Sequence, residues 1–156
     1  MNILRAPSRP DVDSTPFWEA CQRRVLVGQR CGACGEWRWP PRAHCPSCHA
    51  REPVWEELAG TGTIVGAVTV RRSLDAAFAH LLPLPIIHVR VDGTDGAMVL
   101  TSNLLPGQWP QAEVGKRVAV RFARVRSDLI LPQFTIDYAS GDDGSSSTGS
   151  RRAPGR

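Results

Sequence analysis

Cys31-Gly32-Ala33-Cys34 and, ten residues further on, Cys45-Pro46-Ser47-Cys48 are the stretches that decide how this chain is read. A C-x-x-C turn sets two thiolates on one side of a metal, and a second such turn completes a tetrahedron of sulfurs. Gly35 directly follows the first pair and suits the tight bend of a knuckle, while Pro46 stiffens the second. Residues 35–44 are long enough for a hairpin that brings the knuckles together. Cys31, Cys34, Cys45 and Cys48 are therefore the expected ligands of one structural zinc ion per chain, with no position left open for catalysis. Iron in a rubredoxin-like site is the alternative offered by the same spacing. His44 and His49 flank the second pair and are read as surface residues, because four cysteines already complete the set. The stretch is dense in Gly and Pro and poor in periodic apolar residues. It cannot bury a core of its own, as expected of a metal-stapled module.

Upstream, residues 1–13 form a polar, flexible lead-in and 14–29 a helical segment. Thr15 is expected to cap a helix with its hydroxyl and Pro16 to take the first helical position, where its missing N–H costs nothing. Phe17, Cys21 and Val25 recur at i, i+4 and i+8 on one face, which makes Cys21 a buried thiol and not a nucleophile. Residues 25–29 read as extended, with Gly28 marking a bend or a close approach. Downstream the pattern turns to strands. Residues 54–58 and 61–71 read as one long β element broken at Gly60 and Gly62, followed by 85–92, 97–104, 117–125 and 129–137. Asp92-Gly93-Thr94-Asp95-Gly96 is a hairpin signal, 73–85 a long excursion helical in part through 75–82, and 108–116 a further link. Five strands in about 80 residues fit a small closed barrel of OB type, and an SH3-like barrel fits the same periodicity. The division expected is zinc ribbon 30–53, barrel 54–138 and a disordered tail 139–156 that lacks any large apolar residue.

The whole chain has 156 residues, a net charge of +4, 42% apolar and 22% charged residues, enough for one domain or two small ones. It holds no apolar run of membrane-spanning length and no secretory signal at its start, so a cytoplasmic protein is expected. Lys116 is the single lysine against eighteen arginines, and so modest a charge weighs against a nucleic-acid face. Arg23, Arg24, Arg30, Arg38, Arg42 and Arg51 surround the ribbon, opposed by Glu36. They balance the −2 charge of a zinc tetrathiolate or offer a positive surface to an anionic ligand or acidic partner. Trp37, Trp39 and Trp55 bury the ribbon against its neighbours or face a partner. No catalytic constellation emerges: His80 and His88 stand apart, His88 reads as a core histidine on an apolar strand, and no nucleophile elbow or phosphate loop occurs.

One ordered set of motifs is more specific than the cysteines alone. Phe17-Trp18-Glu19 precedes Gln29-Arg30-Cys31-Gly32-Ala33-Cys34-Gly35; Pro40-Pro41-Arg42-Ala43-His44-Cys45-Pro46-Ser47-Cys48, Trp55 and Gly60-Thr61-Gly62-Thr63-Ile64-Val65 follow, and Pro132-Gln133-Phe134 closes. Over residues 16–137 this resembles the acyl-CoA-associated zinc-ribbon/OB-fold family known as domain of unknown function thirty-five. The resemblance implies an N-terminal helical segment, a rubredoxin-like zinc ribbon and a five-stranded OB barrel. It also implies a non-catalytic accessory subunit of a thiolase-superfamily enzyme, an acyltransferase or a thiolase-fold aldolase of lipid or steroid side-chain metabolism, in some cases joined by a hot-dog-fold hydratase. The barrel then helps shelter acyl-CoA. Arg71 and Arg72, at the end of the first barrel strand, are the residues expected to meet CoA phosphates by bidentate contacts; a solvated loop is the plainer reading of both. The competing class is a nucleic-acid-binding zinc-ribbon/OB protein, for which the barrel offers Phe122, Phe134 and Tyr138 as stacking residues.

Overall fold

The computed structural model describes residues 11–72, 76–127 and 129–137. Residues 1–10 of the expected lead-in and the expected tail 139–156 lie outside them. The first element, helix α1 (Thr15–Gln22), starts by a different device from the one expected. Ser14 is the N-cap residue, and its amide donates to the Asp11 carboxylate at 2.7 Å. Thr15 is already helical and turns its hydroxyl back to the Asp11 carbonyl, with Pro16 next in line. The buried face is Phe17, Ala20 and Cys21, while Val25 lies beyond the helix end. There the amide of Arg24 bonds the Cys21 carbonyl and that of Val25 the Ala20 carbonyl, both at 3.0 Å, with Arg24 at φ 62°. This is a Schellman stop.

Two sheets follow. The first is antiparallel, in the order β2 (Trp37–Arg38), β1 (Leu26–Cys31), β3 (Pro53–Leu58). The stretch expected at 54–58 to lead into the barrel is a strand, and its hydrogen-bonded neighbour is β1: β3 pairs with it from Leu26↔Leu58 to Cys31↔Pro53, in the first sheet. Gly28 is where the close approach occurs, since a Cβ there would lie 2.8 Å from the Trp37 ring.

The second sheet holds β4 (Thr61–Val70), β5 (Leu84–Val91), β6 (Val99–Ser102), β7 (Arg117–Arg126) and β8 (Leu129–Ile136) in the order β6-β5-β4-β7-β8. It curls until its outer strands nearly meet. Leu104 bridges Phe134, the Phe134 amide donates to the Asn103 carbonyl at 2.9 Å, and the Ser102 hydroxyl donates to Pro132 O at 2.7 Å. The fold is mainly β, a short helix and ribbon leading into a five-stranded OB barrel. The break expected at Gly62 does not occur: Gly62 lies inside β4, where a Cβ would sit 2.5 Å from the Arg90 carbonyl. The excursion between β4 and β5 contains a 3-10 turn at Ala76–Leu81, and residues 73–75 of it are outside the described set.

Helix, ribbon and barrel share one core. Phe17, Ala20, Cys21, Leu26 and Val27 join Ile64, Ile87, Val89, Leu104, Val118 and Phe134 in a continuous buried cluster. Trp39 spans the seam: its ring meets Phe17 at 5.2 Å, and its indole N–H donates to the Val99 carbonyl at 3.0 Å.

Candidate metal centre and ligand surfaces

The four ribbon cysteines converge. Their Sγ atoms all lie within 4.8 Å of one another, with Cys31–Cys48 and Cys34–Cys45 at 3.6 Å. Zinc–sulfur bonds of about 2.3 Å in a tetrahedron require sulfurs roughly 3.8 Å apart, so the cluster has the right size. Each knuckle is a tight turn closed by an amide to the first cysteine's carbonyl, Gly35 to Cys31 at 2.9 Å and His49 to Cys45 at 3.0 Å. Both fifth residues take left-handed backbone, Gly35 at φ 77° and His49 at φ 63°. Each knuckle contributes one buried sulfur, Cys31 or Cys45, and one exposed, Cys34 or Cys48.

The electrostatics fit a metal. The Cys34 amide, above all, draws the Cys31 thiol down to about 5. Cys45 is lowered in the same way by the Cys48 amide. Cys34 has the Glu36 amide in its favour, yet the neighbouring sulfurs, Cys48 first, push it up to about 12. Four thiols this close cannot all ionise unless a cation sits among them.

A second sign lies beneath the knuckles. Arg38 is 1% exposed, donates to the carbonyls of Arg42, Ala50 and Glu52, and keeps a buried Nε without a hydrogen-bond partner. Burial works against its charge, and the sulfurs of Cys31 and Cys45 hold that charge in place. A buried guanidinium needs a compensating anion, and the tetrathiolate is the one it faces. Arg38 belongs to the basic shell expected to balance the tetrathiolate or to face a partner, and it is placed to do the former; no residue pattern announces that it is buried.

The other expected residues are scattered. His44 is exposed and accepts from Arg51 at 3.0 Å, and His49 is exposed. Arg42, His44 and Arg51 share a cleft of about 360 Å³ with Pro16 and Trp55, though Asp13 lines it too. Arg30 is engaged with Glu56 at 3.1 Å and stacks 5.3 Å over Trp37. Arg71 and Arg72 lie exposed just past β4. His88 is a correction: it is exposed, its ring 3.3 Å from the Thr101 hydroxyl, because Ile87 and Val89 take the inward positions of β5. Cys21 is fully buried, and burial pushes its thiol up to about 12. Phe134 is fully buried and offers no face to a base, Phe122 packs half-buried against the core, and Tyr138 is outside the described residues. No helix among the described residues is long and apolar enough to cross a membrane.

Comparison with known proteins gives the geometry a context. Residues 18–54 match the family model described as "ChsH2, rubredoxin-like zinc ribbon domain", and 55–123 the one described as "ChsH2, C-terminal OB-fold domain". A Thermomonospora curvata protein named probable enoyl-CoA hydratase alpha subunit is 32% identical over 128 residues, 81% of this chain. This chain spans only 39% of that relative's length. A DUF35 domain-containing scaffold protein of Methanothermobacter thermautotrophicus is 29% identical over 108 residues, 69% of this chain and 78% of its own. Among solved structures, a chain described as "Ltp2-ChsH2(DUF35) aldolase" superposes with a TM-score of 0.73 at 28% identity, covering 84% of this chain and 98% of that one. A DUF35-family protein of unknown function from Sulfolobus solfataricus shares the fold at a TM-score of 0.54 and 14% identity, covering 81% of this chain and 86% of its own.

Proposed function

Because the chain belongs to the DUF35 family of ChsH2-type zinc-ribbon and OB-fold proteins, we propose that it is a non-catalytic accessory subunit of a thiolase-superfamily enzyme. The observation that carries this reading is the likeness of helix, ribbon and barrel together to a chain of the Ltp2-ChsH2(DUF35) aldolase. The partner is an acyltransferase or a thiolase-fold aldolase acting on lipid or steroid side chains in the cytoplasm. The name of the Thermomonospora curvata relative supports a hydratase as a further associate. One zinc ion, held by Cys31, Cys34, Cys45 and Cys48, is structural: four thiolates leave no site for water or substrate.

In this reading the barrel helps hold acyl-CoA, and Arg71 and Arg72 meet its phosphates. Both are exposed, and a guanidinium forks naturally onto phosphate oxygens. The test is purification of the tagged, zinc-loaded chain with mass-spectrometric identification of what accompanies it. A thiolase-superfamily subunit is the expected companion, and the pair, unlike the isolated chain, turns over an acyl-CoA. Replacing Arg71 and Arg72 by Ala weakens CoA-thioester use by the pair. Turnover by the isolated chain at an enzymatic rate sinks the accessory reading. A salt-sensitive gel shift with single-stranded RNA or DNA would favour a nucleic-acid role instead.

A further inference from the structure

The β4–β5 ladder outruns the barrel. β7 pairs with β4 only at Thr61, Gly62 and Thr63, and the last backbone bonds on that side join Ile64 to Gly115 and Lys116. Past a bulge between Ile64 and Gly66, β4 continues with β5 as its sole neighbour strand among the described residues, through Ala67↔Ile87, Val68↔Ile86 and Thr69↔Pro85.

The direction of the backbone groups follows from one residue. Pro85 has no N–H, so its pair with Thr69 is a non-hydrogen-bonded one. Two contacts on the far side of β5 agree: Pro85 O accepts from the Asn103 side chain, and the Val91 amide donates to Met98 O. Odd-numbered residues of β5 therefore address β6, and even-numbered ones address β4. By the same alternation the N–H and C=O of Ala67 and Thr69 point away from β5. Among the described residues nothing meets them there.

That edge is also unguarded. Ala67, Val68 and Thr69 are exposed in succession, Val68 at 56%, with Val114 at 64% beside the Gly115 that bonds Ile64. Edges that stay solvent-facing usually carry lysine, proline or an inward charge, and residues 66–70 are Gly, Ala, Val, Thr and Val. Such an edge is a template for another strand. Its charge selects the strand: residues 61–91 carry Arg71, Arg72 and Arg90 against a single acid, Asp75.

We propose that residues 66–70 of β4 are a strand-addition site, where an acidic extended segment of the partner enzyme hydrogen-bonds to the backbone of Ala67 and Thr69. This rests on the accessory reading above and adds the surface through which it works. Thr69→Pro is the decisive variant. It deletes an outward N–H but no β4–β5 bond, and edge strands accept proline at such positions.

The experiment compares hydrogen exchange in the full zinc-loaded chain, alone and with its copurified thiolase-superfamily subunit. The amides of Ala67 and Thr69 exchange freely alone and slow by roughly tenfold or more in the complex. Thr69→Pro weakens the complex roughly tenfold with zinc content and melting temperature unchanged, Thr69→Val does not, and added salt loosens the wild-type pair. A complex in which both amides exchange as fast as in the free chain overturns the site and leaves the accessory reading standing. So does full binding by Thr69→Pro. Protection already present in a self-associated chain overturns the partner strand in favour of a second copy. Failure of any such subunit to copurify overturns the accessory reading, and the site with it.

Discussion

At the scale of single residues, spacing was legible and burial was not. The four cysteines and Gly35 could be read because metal geometry and a left-handed turn each demand a residue type at a fixed position. Arg38 could not, since its burial depends on chains that arrive from elsewhere, the carbonyls of Ala50 and Glu52 among them. His88 was misread although period-two counting outward from Ile87 and Val89 places it on the exposed face. Three described non-glycine residues sit where glycine is the ordinary choice, Arg24 at φ 62°, His49 at φ 63° and Asp95 at φ 50°. Arg24 gives the cleaner prediction, being remote from the metal. An L side chain in this region costs about 1–2 kcal/mol, while glycine loses more chain entropy on folding. Arg24→Gly is expected to gain about 1 kcal/mol or less, some 2–4 °C in melting temperature, and Arg24→Ala to gain nothing. Equal melting of Gly and Ala variants would show that the Schellman stop carries no strain.

At the scale of elements, the strands were legible and their partners were not. Alternation marks 54–58 as a strand but says nothing of which sheet receives it, and β3 joins the ribbon by pairing with β1. The hairpin signal was local and held: Thr94 is buried in the turn, its hydroxyl bonded to Val91 O at 2.8 Å. At the same end of the barrel Arg117 reaches from β7 to Asp92, two contacts at 3.0 and 2.5 Å, while the Thr61 hydroxyl adds a third at 2.6 Å. Arg117 chiefly, with Thr61, holds the Asp92 carboxyl below its ordinary 3.8. A carboxylate so lowered adds stability above its unfolded pKa and loses it as pH falls through the folded value. Asp92→Asn should therefore melt below wild type at pH 5–7 by a constant gap that closes below about pH 4. Both side chains are about a third exposed, so the gap is about 1 kcal/mol or less. A gap that persists undiminished at pH 2.5 would assign the loss to packing and not to charge.

At the scale of the whole molecule, the sequence reads as modules in series, and the structure makes them one body. The ribbon lacks a core of its own, as its composition implied, yet its strand β1 supplies Leu26 and Val27 to the cluster that contains the barrel's Ile64 and Phe134. Trp39, held between Phe17 and Val99, binds the same seam from the other side. Composition could not show this, because a shared core is a property of contacts far apart in the chain. Stripping the zinc, or replacing Cys34 by Ser, removes the staple from residues 31–48 and leaves the buried charge of Arg38 without its full anionic partner. A module merely tethered to the barrel would melt alone. Here the loss is expected to travel: hydrogen exchange speeds up through 30–51, then at β1 and at the Val99 end of β6, where Trp39 docks. The β7–β8 pair, whose ladder runs from Val118↔Ile136 to Arg126↔Leu129, keeps its protection longest. Its contacts with the rest of the barrel do not pass through the ribbon. A barrel that melts at the same temperature with and without zinc would mean that the shared core does not couple the ribbon's stability to the barrel's.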